Sequence, residues 1–168
     1  MKNHKIIPYI LVVLVVLSFS GIGAAQSLQK TQALVQEEVA INWEDSRMGV
    51  TEYQSVEFSE DKMVVTRKSV FKDKRENIQT AIIPLARIDL SRLQSYEATY
   101  PEGMYYLSIF TENNKNVIKV TTFYGKGTED NIVETFYYTL YSKNQDQNQA
   151  LKEKIEHLIY LSGQGKWF

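Results

Sequence analysis

Hydrophobic positions along the chain repeat first at the period of a helix and then at the period of a strand. Leu28, Val35 and Val39 fall on one stripe of a short helix near the N-terminus. From Val50 onward, apolar and polar residues alternate through "VTEYQSVEF" and again through "MVVTRKSVF", with the polar turn "SEDK" between them. This pattern predicts a helix followed by a β-hairpin.

Further strand-like runs follow the hairpin. "NIQTAII" stops at Pro84, which cannot donate to a β-ladder. The next segment is strand-like around Ile88 and around Tyr96, with a helical turn allowed between them. "MYYLSIFT", "VIKVTTFY" and "IVETFYYTLY" then alternate strongly and are separated by polar connections rich in Asn and Gly. These three runs predict an antiparallel meander.

The chain ends in a predicted amphipathic helix that stops near Gly163. Its apolar residues recur at helical spacing and form one stripe, made of Leu151, Ile155, Leu158 and Ile159. Such a stripe is typical of a helix that packs one face against a core.

The segment "NQDQNQ" before this helix has the alternating Asn and Asp residues of a calcium loop. An EF-hand loop also needs glycine at its sixth position and glutamate at its twelfth. Counted from Asn144, those positions hold Gln149 and Ile155. Asp146 followed three residues later by Gln149 is the pattern of a capping box. The segment therefore predicts a helix start, with no metal ion and no cofactor.

The first residues indicate export. Lys2 and Lys5 precede an apolar run, and the small residues of "SGIGAAQS" suit signal-peptidase cleavage before Gln26. An uncleaved membrane anchor over residues 6–25 is the alternative. Cleavage leaves 143 of the 168 residues, enough for one domain. We divide the chain into a signal peptide (1–25), a helix with its lead-in (26–49), a main domain (50–162) and a tail (163–168).

Charge and composition narrow the location and the partners. Removing Lys2 and Lys5 from the 19 Lys and Arg leaves 17, against 20 Asp and Glu, so the exported chain is mildly acidic and has no general attraction for nucleic acid. It contains no cysteine, so its fold depends on packing without disulfides even outside the cytoplasm. We expect a bacterial protein of the periplasm or the extracellular space.

The order of about seven strands followed by one amphipathic helix resembles the pleckstrin-homology-like domains, in particular their GRAM-like and bacterial branches. The "IPLARI" step from Ile83 to Ile88 is similar to the step that follows a hairpin in those domains. The resemblance covers residues 50–162. It implies an α+β, mostly β fold, an antiparallel barrel or sandwich closed by the C-terminal helix. It also implies a binding function more readily than a catalytic one.

Lipid-binding members of that family place Lys and Arg in the first hairpin loop. This chain has Glu60 and Asp61 there. The next connection carries Lys72, Lys74 and Arg75, which are typical of a solvated turn. We therefore expect no phosphoinositide partner.

Residues for catalysis are few. The chain has no cysteine, which excludes thiol catalysis, and His157 is the one histidine after residue 25, which excludes a multi-histidine metal site in that part of the chain. Acidic residues near Trp43 and in the first hairpin, such as Glu44, Asp45 and Glu57, allow a small exported carboxylate-dependent hydrolase as the alternative function. A glycosidase of that kind needs two carboxyl groups across a cleft.

Aromatic residues of the predicted meander suggest a binding surface. They alternate with the inward-facing apolar residues and form an outer strip, made of Tyr106, Phe110, Phe123, Tyr137 and Tyr141. Such a strip can stack on sugar rings or anchor a protein. Alternatively, the N-terminal helix covers it, or a second copy of the chain does so in a homodimer. The sequence thus predicts an exported, non-catalytic binding module for a protein or a glycan.

Overall fold

A computed structural model describes residues 27–45, 49–59, 61–99, 103–125 and 131–163 of the chain. The predicted signal segment and residues 164–168 of the predicted tail lie outside these ranges. The described residues form an α+β fold, mostly of antiparallel strands in two sheets, with one helix near each end. None of the helices in these ranges has the length and apolar character needed to cross a bilayer.

The elements follow one another in a simple order. Helix α1 covers residues 27–39 and helix α2 covers Gln145–Leu161. The strands are β1 (Ile41–Asp45), β2 (Val50–Ser59), β3 (Lys62–Phe71), β4 (Glu76–Pro84), β5 (Gln94–Glu97), β6 (Tyr105–Phe110), β7 (Ile118–Tyr124), β8 (Asn131–Thr135) and β9 (Tyr137–Ser142). Short 3-10 turns lie at Leu85–Arg87, Leu90–Arg92 and Glu112–Asn114. The large sheet has the order β1-β2-β3-β4-β7-β8 and the small sheet the order β5-β6-β9.

The structure confirms the strands of the predicted hairpin. β2 and β3 pair antiparallel over their whole length, from Val50 opposite Phe71 to Ser59 opposite Lys62. β4 ends at Pro84 as expected. The ambiguous segment after it contains two 3-10 turns around an isolated bridge at Ile88 and then β5. The segment therefore contains both the helical turn and the strand that its sequence allowed.

The predicted meander is wrong. β7 pairs with β4 in the large sheet and not with β6. The run "IVETFYYTLY" also divides at Phe136, so that β8 continues the large sheet and β9 belongs to the small one. At the break, the Phe136 carbonyl accepts hydrogen bonds from the N–H and the hydroxyl of Thr111, at 2.9 and 3.1 Å. The nine described strands form two sheets and not one closed barrel.

Strand β1 was not predicted, because residues 26–49 were assigned to a helix and its lead-in. "INWED" pairs with β2 along its whole length and forms one edge of the large sheet. This strand brings Trp43 opposite Glu52, which matters for the site described below.

Both helices and both sheets contribute to one main core. The fully buried large side chains come from both helices and both sheets and include Val35, Met63, Ile83, Leu107, Ile109, Ile118, Leu140, Leu151 and Ile155. α1 lies beside α2, where Glu38 forms an ion pair with Lys154 and the Glu38 carbonyl accepts a 2.8 Å hydrogen bond from Gln147. The stripe of α1 therefore enters the core, and the expectation that this helix covers the outer aromatic strip is wrong.

Helix α2 is capped at Asn144, ahead of the predicted cap at Asp146, and different residues form the cap. The Asn144 side chain accepts a 2.8 Å hydrogen bond from the N–H of Gln147, and the Gln147 side chain accepts one from the N–H of Lys143 at 2.6 Å. The pair Asn144 and Gln147 thus replaces the expected pair Asp146 and Gln149. The helix stripe is buried as predicted, and His157 is exposed. Gly163 follows the helix with a φ of +71°.

We expect Leu158→Ala to lower the free energy of unfolding by about 2–5 kcal/mol, because Leu158 is fully buried and its truncation leaves a cavity. Lys152→Ala is the control on the same helix. Lys152 is partly exposed and its ion pair with Glu156 spans 4.0 Å, so its loss should cost less than about 0.5 kcal/mol. Urea denaturation measures both. Small, equal losses would mean that α2 does not close the core.

Candidate functional site

The face of the large sheet that contacts the core is apolar along half of its length and polar along the other half. Strand register places an apolar row across four strands, made of Val56, Val65, Ala81 and Val120. Two residues away on the same face lies a polar row, made of Gln54, Arg67, Gln79 and Thr122. The next row continues the polar half and contains Trp43, Glu52, Ser69 and Asn77.

A cavity of about 280 Å³ lies over this polar half of the face. Side chains from β1, β2, β3, β4, β7 and β9 line it, namely Trp43, Glu52, Arg67, Ser69, Asn77, Gln79, Thr122 and Tyr141. The lining thus combines two aromatic rings with hydroxyl, amide, carboxylate and guanidinium groups. Groups of this kind can orient a small polar ligand.

Gln54 joins the large sheet to β9 and contacts Arg67, a residue of the cavity lining. It is 3% exposed, and its side chain pairs with the backbone of Tyr141 on β9. Its Nε2 donates to the Tyr141 carbonyl at 3.0 Å, and its Oε1 accepts from the Tyr141 N–H at 3.1 Å. Nε2 also donates to the Val39 carbonyl at 3.4 Å. A buried amide therefore satisfies polar groups of β9 and α1 that would otherwise lack partners.

Arg67 lies beside Gln54 and is held by neutral groups. Its Nε donates to Gln54 Oε1 at 3.2 Å, and its Nη2 donates to the carbonyl and the hydroxyl of Thr139. The guanidinium carbon lies 4.8 Å from the ring centre of Tyr138 and 4.4 Å from that of Tyr141. Both distances are within the range of cation–π contacts, so the position of the guanidinium is well defined.

Trp43 and Tyr141 form the aromatic part of the lining. Their ring centres are 5.2 Å apart, and Tyr141 contacts Tyr106 edge to face at 6.3 Å. These three rings pack on a small second cluster of buried residues, made of Ile41, Ala98 and Met104. β1 therefore covers the part of the small sheet that carries Tyr106 and Tyr141.

The five residues of the predicted outer strip do not share one surface. Tyr106 pairs with Tyr141 and Phe110 pairs with Tyr137 across β6 and β9. Phe123 lies on β7 in the other sheet. Phe123 and Tyr137 are 41% and 49% exposed, whereas the other three are half-buried. Tyr141 alone among the five lines the cavity.

Two acidic residues of the predicted hydrolase, Glu44 and Glu57, do not line the cavity. Glu44 and Glu57 alternate to the opposite face of the large sheet. Glu52, which does line the cavity, accepts a 2.8 Å hydrogen bond from the Ser69 hydroxyl and is the one carboxylate among the lining side chains given above. In the described ranges, no group of three or more His, Asp or Glu is placed to hold a metal ion.

Tyr138 lies between the cavity and the core. It is 6% exposed, and its hydroxyl donates to Gln79 Oε1 at 2.9 Å. Burial raises the pKa of this hydroxyl above its usual value, and the nearby charge of Arg67 partly opposes the shift. The hydroxyl therefore remains protonated at neutral pH and orients the Gln79 amide.

Most residues of this site were not found from the sequence. A signal was present, because Gln54, Arg67 and Gln79 occupy positions in phase with buried Val56, Val65 and Ala81. Polar residues at inward positions of a strand indicate either a buried network or a cavity. Trp43 gave a weaker signal, since its strand was not recognised.

Comparison with known proteins returned no family model, no curated protein and no solved structure that matches the chain.

We expect Gln54→Leu to lower the free energy of unfolding by roughly 2–5 kcal/mol, because it leaves buried backbone groups of Tyr141 and Val39 without partners. Gln149→Leu is the matched control. Gln149 is exposed and bonds only with Glu153 among the described residues, so the same change there should cost less than about 0.5 kcal/mol. Urea denaturation compares the two. Equal effects would contradict the role given to Gln54.

The raised pKa of Tyr138 predicts a loss of stability at alkaline pH. A group that holds its proton more tightly in the folded state contributes full stability below its unfolded pKa, near 10, and loses that contribution as the pH rises through its folded pKa. The free energy of unfolding should thus fall more steeply above pH 10 in the wild type than in Tyr138→Phe. The exposed residue Tyr137, changed to Phe, is the control. Parallel curves for wild type and Tyr138→Phe would contradict the assignment.

Proposed function

We propose that this protein is an exported, non-catalytic binding module that holds a glycan in the cavity lined by Trp43 and Tyr141. The single observation that carries this proposal is the composition of the cavity. Two adjoining aromatic rings lie next to a surface of hydroxyl, amide and charged groups in a space of about 280 Å³.

A sugar ring matches both parts of this lining. Its C–H face packs against the electron-rich face of an aromatic ring, and its hydroxyl groups both donate and accept hydrogen bonds. Asn77, Gln79, Thr122 and Ser69 offer complementary donors and acceptors on neighbouring strands. Rigid strands hold these groups in place, which lowers the entropic cost of binding.

The size of the cavity favours a glycan over a protein as the ligand. Small-molecule sites usually have volumes of about 300–1,000 Å³, and this cavity, at about 280 Å³, lies just below that range, which suits a single sugar unit. A protein interface needs a much larger contact area. The exposed aromatic residues Phe123 and Tyr137 lie on different sheets, which gives less support to one extended protein-binding strip or to a homodimer through it.

A carboxylate-dependent hydrolase is the less well supported function. Glycoside hydrolysis needs two carboxyl groups at about 5–9.5 Å from one another across the scissile bond. The lining residues include only Glu52, and its hydrogen bond with Ser69 occupies one of its oxygens. This composition supports binding without catalysis.

The pleckstrin-homology-like resemblance of residues 50–162 remains part of the proposal. Two antiparallel sheets and a C-terminal helix that enters the core support it. Export rests on the N-terminal pattern of the sequence.

The turn after β3 does not favour phosphoinositides, since Arg75 pairs with Asp73 at 2.5 Å and Lys68 with Glu76 at 2.7 Å. The mild acidity of the chain argues against nucleic acid.

We expect Trp43→Ala to weaken glycan binding at least tenfold, because an aromatic anchor typically contributes about 2 kcal/mol or more. Binding is first detected on a panel of immobilised oligosaccharides and then measured by calorimetry. Tyr137→Ala removes an exposed aromatic residue outside the cavity and should leave the Kd unchanged.

Thr122→Val is the second variant for this test. It removes a hydroxyl from the lining at nearly constant shape, and it should weaken binding without a large change in melting temperature. The proposal would be contradicted if Tyr137→Ala lost binding while Trp43→Ala and Thr122→Val bound normally. That result would indicate that the glycan binds on the outer surface of the small sheet.

A further inference from the structure

We propose that the glycan bound in the cavity is acidic and that Arg67 binds its carboxylate, an inference that rests on the proposed function. Arg67 is the one cationic side chain among the residues that line the cavity. Three features of Arg67 suit it to binding an anion. They are its fixed position, its unused N–H donors and its positive charge.

The position of the Arg67 side chain is fixed before any ligand arrives. Gln54 and Thr139 hold its Nε and Nη2, and the rings of Tyr138 and Tyr141 contact its guanidinium carbon at 4.8 and 4.4 Å. A charged donor held in this way loses little conformational freedom when it binds an anion. Gln54 is itself fixed by the backbone of Tyr141.

The hydrogen bonds of Arg67 leave part of its capacity unused. A guanidinium group carries five N–H donors. Nε donates to Gln54 and Nη2 donates to Thr139, whereas Nη1 donates to none of the described residues. Two N–H groups therefore remain for a ligand in the cavity, and a carboxylate is the acceptor that forms the strongest bonds with them.

The charge of Arg67 is not neutralised at short range by a described residue. Its hydrogen-bond acceptors are an amide, a carbonyl and a hydroxyl, and no carboxylate of the described ranges lies within 4 Å of it. A half-buried cation without a carboxylate partner attracts an anion from solution. Glu52 lines the same cavity, and its negative charge repels a doubly charged phosphate more than a singly charged carboxylate.

The experiment uses matched pairs of ligands, so that the comparison does not depend on a protein variant. The purified protein, expressed with its own N-terminal segment, is titrated by calorimetry with oligogalacturonate, oligomannuronate, a hyaluronan tetrasaccharide and sialyllactose. Each acid is compared with its own carboxyl-reduced form, which keeps the ring and loses the charge. We expect at least one acid to bind tenfold or more tightly than its reduced form, with a preference that decreases as salt increases.

The outcomes separate this inference from the proposed function. If the reduced forms bind as tightly as the acids, the cavity binds glycans but the role of Arg67 in recognition is overturned. If no ligand of either kind binds, the proposed function itself is overturned, and this inference with it.

Two variants locate the effect within the protein. Arg67→Gln should abolish the preference for the acid, whereas Lys68→Gln removes an equal charge from the next residue of β3, on the opposite face, and should retain it. Arg67→Lys keeps the charge without the planar fork and should retain only part of the preference. A preference that persists in a folded Arg67→Gln protein would contradict the assignment.

Discussion

The hydrogen bonds of one buried amide, that of Gln54, determine how the two sheets meet. β9 is an edge strand of the small sheet, so the N–H and the carbonyl of Tyr141 have no neighbouring strand on that side. The Gln54 side chain supplies one acceptor and one donor to this residue, as a paired strand residue would. Arg67 and Tyr141 both form hydrogen bonds with Gln54, and both line the cavity over the polar half of the large sheet. The residue that joins the sheets thus also holds two residues of the candidate site.

Features that depend on neighbouring residues along the chain were predicted well. The alternation in β2 and β3 and the stripe of α2 each follow from a local period, and both were confirmed. Alternation does not, however, identify the partner of a strand. β7 pairs with β4 through contacts far apart in sequence, and Phe136 interrupts a run whose apolar pattern continues without a Gly or Pro. The meander was predicted wrongly because alternation alone does not show which strands pair.

The candidate site was the least predictable part of the protein. The aromatic strip was inferred by placing β6, β7 and β9 in one sheet, so the transfer of β7 to the other sheet separated Phe123 from the rest. The polar residues of the site lie on four strands, and their convergence depends on register across the large sheet. Gln54 and Arg67 are polar residues at inward positions of their strands, which indicates a buried network or a cavity without showing which. Their partners, Tyr141 and Thr139 on β9, are known only from the structure.

The contact between the two ends of the fold has a consequence for the order in which the protein can form. Glu38 of α1 pairs with Lys154 of α2 across 116 residues, and Gln54 pairs with Tyr141 across 87. A growing chain that lacks β9 and α2 would leave the apolar stripe of α1 and much of the large sheet without a core to enter. Contacts this distant in sequence slow folding, since a long loop must close before they can form. We therefore expect the main core to form only after β9 and α2 have been synthesised, so that α1 and the large sheet wait for partners that follow them in the chain.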